Sequence, residues 1–212
     1  MVVAIDGPAG VGKSSIAAAV AERFGFFNLN SGSFYRALAL KVLAAQANPA
    51  DVGQVMNAVE GAQLDIVDGR LHLDGVDVEG QLRSDAVDRA SSMVSSHVPL
   101  RHRVNEHLRR IAGTMDLVSE GRDMGTVVFP HAEVKIFLDA SPAVRAQRRF
   151  EQGTSDLDLA ALEASIRERD ERDRNKEEGS LIAAPDAQVI DTSSLTLEEV
   201  CARVTGLITT YQ

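Results

Sequence analysis

The sequence predicts an α/β fold in which about five strands form a parallel sheet flanked by helices, with a small antiparallel sheet inserted. Three observations carry this expectation. Short unbroken apolar runs alternate with segments whose apolar residues recur every three or four positions, the pattern of buried strands separated by amphipathic helices. A glycine-rich loop joins the first such run to the first such helix. Residues 63–78 instead alternate apolar with polar side chains and carry Asp68-Gly69 and Asp74-Gly75, the turn signals of antiparallel hairpins.

Residues 2–5 form the first strand, apolar on both faces. After the loop, Ile16, Ala17, Val20, Ala21 and Phe24 mark one helix face, and Gly25 is its stop. A second strand is expected over 26–29, ending in Asn30-Ser31-Gly32. Helices follow over 34–47, stopped near Asn48-Pro49, and over 51–59. Beyond the insertion at about 62–80, helices return at 84–94 and 99–112, and buried strands at 117–119 and 134–138. Ser141-Pro142 opens a helix with a capping hydroxyl and a first-position proline, and that helix carries Arg145, Arg148 and Arg149. A glycine-containing polar linker, 151–158, leads to a highly charged helix over 159–176. A last strand at 188–190 precedes a capping box, Thr196-Leu197-Glu198-Glu199, and a final helix to 209.

Composition narrows the function classes. The 212 residues carry 22 Lys and Arg against 31 Asp and Glu, a net charge of −9, which argues against coating nucleic acid. The basic runs 101–110 and 167–174 hold no aromatic residue for base stacking. The longest apolar run, 16–21, is far short of the ~20 residues that span a bilayer. Residues 2–5 are also too short for a secretory signal core, and Asp6 follows at once. The single Cys201 excludes an internal disulfide and a cysteine-based zinc site, and reads as core. His97, His102 and His107 recur every five residues, a helical turn of about 500°, so they do not share a face. These features predict a soluble, cytoplasmic protein with neither nucleic acid nor membrane as partner; a monomer is the expected state, although no feature of the sequence fixes it.

The strongest motif is Gly7-Pro8-Ala9-Gly10-Val11-Gly12-Lys13-Ser14, the Gly-x4-Gly-Lys-Ser/Thr phosphate loop. Polyphosphate must lie against bare backbone N–H groups, so large side chains are excluded, and the following helix aims its positive end at the anion. Lys13 would neutralise the β- and γ-phosphates and Ser14 would ligate Mg²⁺. The nucleotide-binding set is Gly7, Pro8, Ala9, Gly10, Val11, Gly12, Lys13, Ser14 and Ser15. A switch-type GTPase shares this loop, but Asn175-Lys176-Glu177-Glu178 lacks the aspartate and the preceding strand of a guanine-reading sequence.

A kinase joining two phosphorylated molecules needs arginines from several segments. Arg36 follows the second strand, and Arg122 follows the strand at 117–119, where ligands of open parallel sheets bind. The helix with Arg145, Arg148 and Arg149 and the run 167–174 supply two further groups. Glu168 with Arg172 and Arg169 with Asp173, each four apart, also suit plain helix-surface ion pairs. An acceptor phosphate oxygen is already ionised, so no general base is required.

Taken together, the phosphate loop, Asn30-Ser31-Gly32-Ser33-Phe34-Tyr35-Arg36, Glu120-Gly121-Arg122-Asp123-Met124-Gly125-Thr126-Val127-Val128-Phe129-Pro130, Lys135-Ile136-Phe137-Leu138-Asp139-Ala140 and Arg169-Asp170-Glu171-Arg172-Asp173-Arg174-Asn175 resemble bacterial cytidylate kinases, in order and over nearly the whole chain. The resemblance implies a P-loop nucleoside monophosphate kinase that transfers phosphate from Mg-ATP to CMP and dCMP. It divides the chain into a core (1–30, 113–144 and 177–212), an acceptor-binding region (31–112) and a short, zinc-free lid (about 145–176). It assigns Ser31, Tyr35, Arg36 and Arg122 to the acceptor's phosphate and sugar side, and Ser92, Arg101 and Asp123 to cytosine, with Ser91 and Arg103 as neighbouring alternatives. Arg169 and Asp173 would reach sugar and phosphates, as would Lys176, which stands where the family usually carries arginine. Lys13, Arg122, Arg148 and Arg169 would stabilise the transferring phosphoryl group. Other readings are the same architecture with another acceptor, such as UMP or a small metabolite, or a nucleotide-controlled switch.

Overall fold

The computed structural model describes every residue except Thr114, Thr154, Asp156 and Gln212. Two of these fall in the expected linker 151–158, whose course there lies outside the described residues. The chain forms two compact units, Met1–Asn30 with His107–Gln212, and Ser31–Glu106.

The first unit holds a five-stranded parallel sheet: β1 (Val2–Asp6), β2 (Phe27–Asn30), β6 (Leu117–Gly121), β7 (Val134–Asp139) and β8 (Gln188–Asp191), in the spatial order β2-β6-β1-β7-β8. β1 is central, with Ile5 opposite Glu120 on one side and Ile136 on the other. That position explains its unbroken apolar run, since both of its faces are covered. Helix α1 (Lys13–Phe24) packs Ile16, Ala17 and Val20 on the sheet residues Val3, Ile5, Val118 and Leu138, while α8 (Leu197–Thr209) adds Val200, Val204 and Ile208. Gly25 ends α1 in the left-handed conformation, and Thr196 and Glu199 close the expected capping box on α8. Helices α6 (Pro142–Glu151) and α7 (Leu159–Arg174) share a small apolar contact of Ala146 with Leu162 and Ile166.

The second unit contains α2 (Ser31–Ala44), α3 (Val52–Ala58), α4 (Asp85–Val94) and the antiparallel sheet β3 (Leu64–Val67), β4 (Arg70–Leu73) and β5 (Val76–Asp77). Pairing of Val67 with Arg70 and of Leu73 with Val76 leaves two-residue loops, and Asp68-Gly69 and Asp74-Gly75 take positive φ at both positions, as primed hairpin turns demand. Helix α5 (Val98–Ala112) runs across the boundary of the two units in sequence.

Two elements depart from expectation. Helix α2 spans Ser31–Ala44 rather than 34–47: it begins directly after β2, and it ends in a Schellman motif. Gln46 turns left-handed (φ 54°) and the Ala47 amide donates to the Val42 carbonyl at 3.1 Å, so the chain leaves the helix before Asn48-Pro49. Met124–Val128 forms a π-helical turn between the strands expected at 117–119 and 134–138, where no element was expected.

Candidate functional site

The phosphate loop occupies the exit of β1, and its glycines do specific work. Gly7 has φ 149°, and a Cβ there would sit 2.2 Å from the Leu138 carbonyl oxygen, so the loop can cross the end of β7 only without a side chain. Gly12 is the N-cap of α1 with φ 101°, and no side chain caps the helix, which leaves its first N–H groups to the loop. Pro8 and Val11 are buried, whereas Gly10, Ser14 and Ser15 are exposed. Ala9 gives its carbonyl oxygen to Arg145 at 3.0 Å. Lys13 is 6% exposed, and its Nζ folds back to donate to the Pro8 carbonyl at 2.8 Å. Burial pushes its pKa well below that of an ordinary lysine and Arg122 adds to this, against the opposing pull of Glu120 and Asp6.

β6 delivers the next residues. Glu120 and Asp123 are buried, and Arg122 gives its Nε to Asp173 Oδ2 at 2.8 Å. The other Asp173 oxygen takes Lys176 Nζ at 2.8 Å, and Arg169 Nε lies 4.0 Å from Oδ2. One carboxylate thus faces three cations brought from the residue that follows β6, from α7 and from the segment after α7. Burial pushes the Asp173 pKa up, but Arg122, Lys176 and Arg169 together outweigh it and hold the carboxyl well below the usual range.

The arginines of α6 divide into two kinds. Arg145 is 1% exposed and donates to the Ala140 carbonyl at 2.9 Å, to the Ala9 carbonyl, and through both terminal nitrogens to Asp170. Its guanidinium is committed to holding α7 and the phosphate loop, not to a ligand. Arg148 donates to the Thr192 hydroxyl at 3.1 Å and the Thr192 carbonyl at 2.6 Å, and remains partly exposed. On the outer side of α7, Arg172 and Glu168 form the expected surface pair at 3.6 Å.

In the second unit, Ser31, Tyr35, Ser92 and Arg101 are all buried. Arg36 is half-buried and gives Nε to Asp88 Oδ1 at 3.0 Å. The Arg101 guanidinium lies 5.9 Å from the Tyr35 ring centroid and donates to the Ser95 carbonyl at 3.1 Å. Of the alternatives, Arg103 spends its fork on the Val59 and Ala62 carbonyls, both at 2.8 Å, and Ser91 donates to the Asp88 carbonyl at 3.0 Å. The buried Ser92 hydroxyl has no hydrogen-bond partner among the described residues.

Sequence reasoning passed over Asp6, Asp88 and Asp170. Each is a carboxylate whose partner lies 25 to 119 residues away in the chain, and no local spacing signals such pairs. Among the described residues no group of three His, Cys, Asp or Glu is placed to hold a metal ion, and no helix is long and apolar enough to cross a membrane.

The family model described as cytidylate kinase matches residues 3–210. Curated relatives include the cytidylate kinase of Burkholderia thailandensis, 41% identical over 207 residues that cover 96% of this chain and 90% of the relative. Another is the cytidylate kinase of Aeromonas salmonicida, 41% identical over 210 residues, covering 96% and 91%. Among solved structures, a Thermus thermophilus protein superposes with TM-score 0.50 at 17% identity, over 100% of this chain and 97% of that one, a likeness of fold alone.

Proposed function

We propose, from the fact that the chain belongs to the cytidylate kinase family, that it transfers phosphate from ATP to CMP and dCMP, giving the diphosphates. The single observation that carries this reading beyond family membership is the Arg122–Asp173–Lys176 cluster in the same compact unit as the phosphate loop. An array of cations, Lys176 buried and Arg122 and Arg169 partly exposed, sharing one buried carboxylate suits an incoming dianionic phosphate.

In this reading residues 7–15 line the ATP phosphates, every one but Pro8 offering a backbone N–H, and Lys13, Arg122, Arg148 and Arg169 stabilise the charge on the transferring group. Mg²⁺ fits the exposed Ser14 hydroxyl in the first turn of α1, together with the nucleotide's own phosphates. When bound it neutralises charge on the β- and γ-oxygens. Ser31, Tyr35, Arg36 and Arg122 hold the acceptor's phosphate and sugar side, and Arg169, Asp173 and Lys176 assist.

Asp123 accepts from the cytosine amine while Arg101 and Ser92 serve the ring acceptors. Support for Ser92 over Ser91 comes from the bond that Ser91 already makes to the Asp88 carbonyl, whereas the Ser92 hydroxyl has no hydrogen-bond partner among the described residues. Uracil would turn a carbonyl toward Asp123, and a mismatch of that kind in a polar site can cost ~10⁴-fold. The regions 31–112 and about 145–176 act as acceptor domain and lid, and the enzyme works as a cytoplasmic monomer without nucleic acid or membrane. The acidic net charge is the support for that last statement.

The test is ADP formation from Mg-ATP with CMP, dCMP, UMP, AMP or no acceptor, beside Lys13→Ala. Turnover with CMP and dCMP that the variant lacks is expected. ADP release indifferent to acceptor would overturn the reading.

A further inference from the structure

We propose that Asp6 is a positioning residue for acceptor recognition, its carboxylate clamping the turn that carries Arg122 and Asp123 to the strand end from which the phosphate loop springs. The inference rests on the assignment of Arg122 and Asp123 to the acceptor.

Asp6 is the last residue of β1, directly before Gly7, and is 4% exposed. Its Oδ1 accepts from the Met124 amide and its Oδ2 from the Gly125 amide, both at 2.8 Å. The π-helical turn opens at Asp123, whose carbonyl takes the Val127 and Val128 amides at 2.8 and 3.1 Å. The amides of residues 124 and 125 begin that turn and so have no carbonyl within it, and a buried N–H left without a partner is costly. Asp6 supplies both partners. Because each oxygen takes one amide, the contact fixes the orientation of the turn as well as its distance.

The turn also approaches closely. A Cβ on Gly125 would sit 3.2 Å from Lys135 Cδ and 3.4 Å from Asp6 Oδ2. Asp123 immediately precedes the clamped amides, so a shift there moves the carboxylate assigned to the base. An asparagine at position 6 would keep one acceptor and turn an N–H₂ group toward the other amide. A buried ionised carboxylate is a costly way to satisfy the turn, and what it offers that an amide cannot is two acceptor atoms.

The experiment compares wild type, Asp6→Asn and Gly125→Ala in steady-state kinetics with CMP and with UMP, and in amide hydrogen exchange. For Asp6→Asn the CMP KM should rise about tenfold or more and the CMP-over-UMP preference should fall by a similar factor, with a much smaller change in ATP KM. Exchange at residues 124 and 125 should speed up. Gly125→Ala, which disturbs the same contact from the turn's side, should move the same quantities in the same direction. Equal rises in the ATP and CMP KM values, or an unchanged base preference in either folded variant, would overturn the proposal, as would failure of both variants to fold. A wild type without CMP-dependent turnover would instead sink the kinase reading, while the exchange result would still report on the clamp.

Discussion

Arg122 and Asp173 lie 51 residues apart in the chain and meet at 2.8 Å, Nε to Oδ2. With Lys176 on its other oxygen, Asp173 compensates cations that would otherwise repel one another in a buried place. Replacing it by asparagine removes the charge and leaves the cations. Loss of one partner of such a buried pair costs about 3–5 kcal/mol, so Asp173→Asn should unfold at clearly lower urea. Because the folded pKa of Asp173 is depressed, its contribution is full above the unfolded value near pH 4 and shrinks as pH falls toward the folded value. The stability gap between wild type and variant should therefore narrow between pH 5.5 and pH 3. A constant gap would show that charge is not what Asp173 contributes.

Asp6 carries the opposite sign. Burial pushes its pKa up and the nearby Asp123 adds to that, while the Gly125 and Met124 amides and Lys13 pull it back, leaving it at about 6. The folded state then binds a proton more tightly than the unfolded chain, so the Asp6 contribution makes the protein less stable as pH rises from 4 to 6. The shift corresponds to about 3 kcal/mol across that window. Denaturation of wild type and Asp6→Asn at pH 4.5 and pH 7.5 checks it: wild type should lose ground to the variant on going to the higher pH.

Lys13 separates catalysis from stability. Its ammonium is buried and its pKa is pushed down, so the charge is a burden on the empty protein. Lys13→Met should leave thermal stability unchanged or raise it, yet lower kcat by about 10²–10³-fold or more. A parallel loss of both in calorimetry and turnover assays would place Lys13 among the structural residues.

Arg145 and Arg148 sit on the same helix and should behave differently. Arg145→Ala strands Asp170 and frees the Ala9 and Ala140 carbonyls, a loss of about 3–5 kcal/mol. Replacing Arg145 and Asp170 together by Met and Leu should cost less than Arg145→Ala alone. Arg148→Ala should cost about 1 kcal/mol in stability, as a part-exposed hydrogen-bonding group, and act mainly on kcat. Equal stabilities of the two single variants would contradict this division.

Much of the architecture was legible because it depends on short-range pattern. The apolar run at β1, the three- and four-residue steps of α1, the Asp-Gly turns and the Thr196–Glu199 box each encode a backbone shape within a few residues. The phosphate loop belongs to this class too: Gly7 and Gly12 are needed where bulky side chains or right-handed backbone cannot go, and the need is written at those positions. The π-helical turn at Met124–Val128 was not legible, because its first amides are satisfied by Asp6, 118 residues away from Met124.

The chain by itself determined an α/β phosphate-loop protein with arginines at a strand end, since periodicity and glycine placement are local requirements of backbone and anion. Only the tertiary structure decided which charged side chains are committed to partners within the protein. Arg145 and Arg122 look alike in sequence, yet the fold buries one against Asp170 and two carbonyl groups, and seats the other beside Asp173 with Lys176 and Arg169. Electrostatic roles follow from distances across the sheet and between helices, and those distances exist only once the chain has folded.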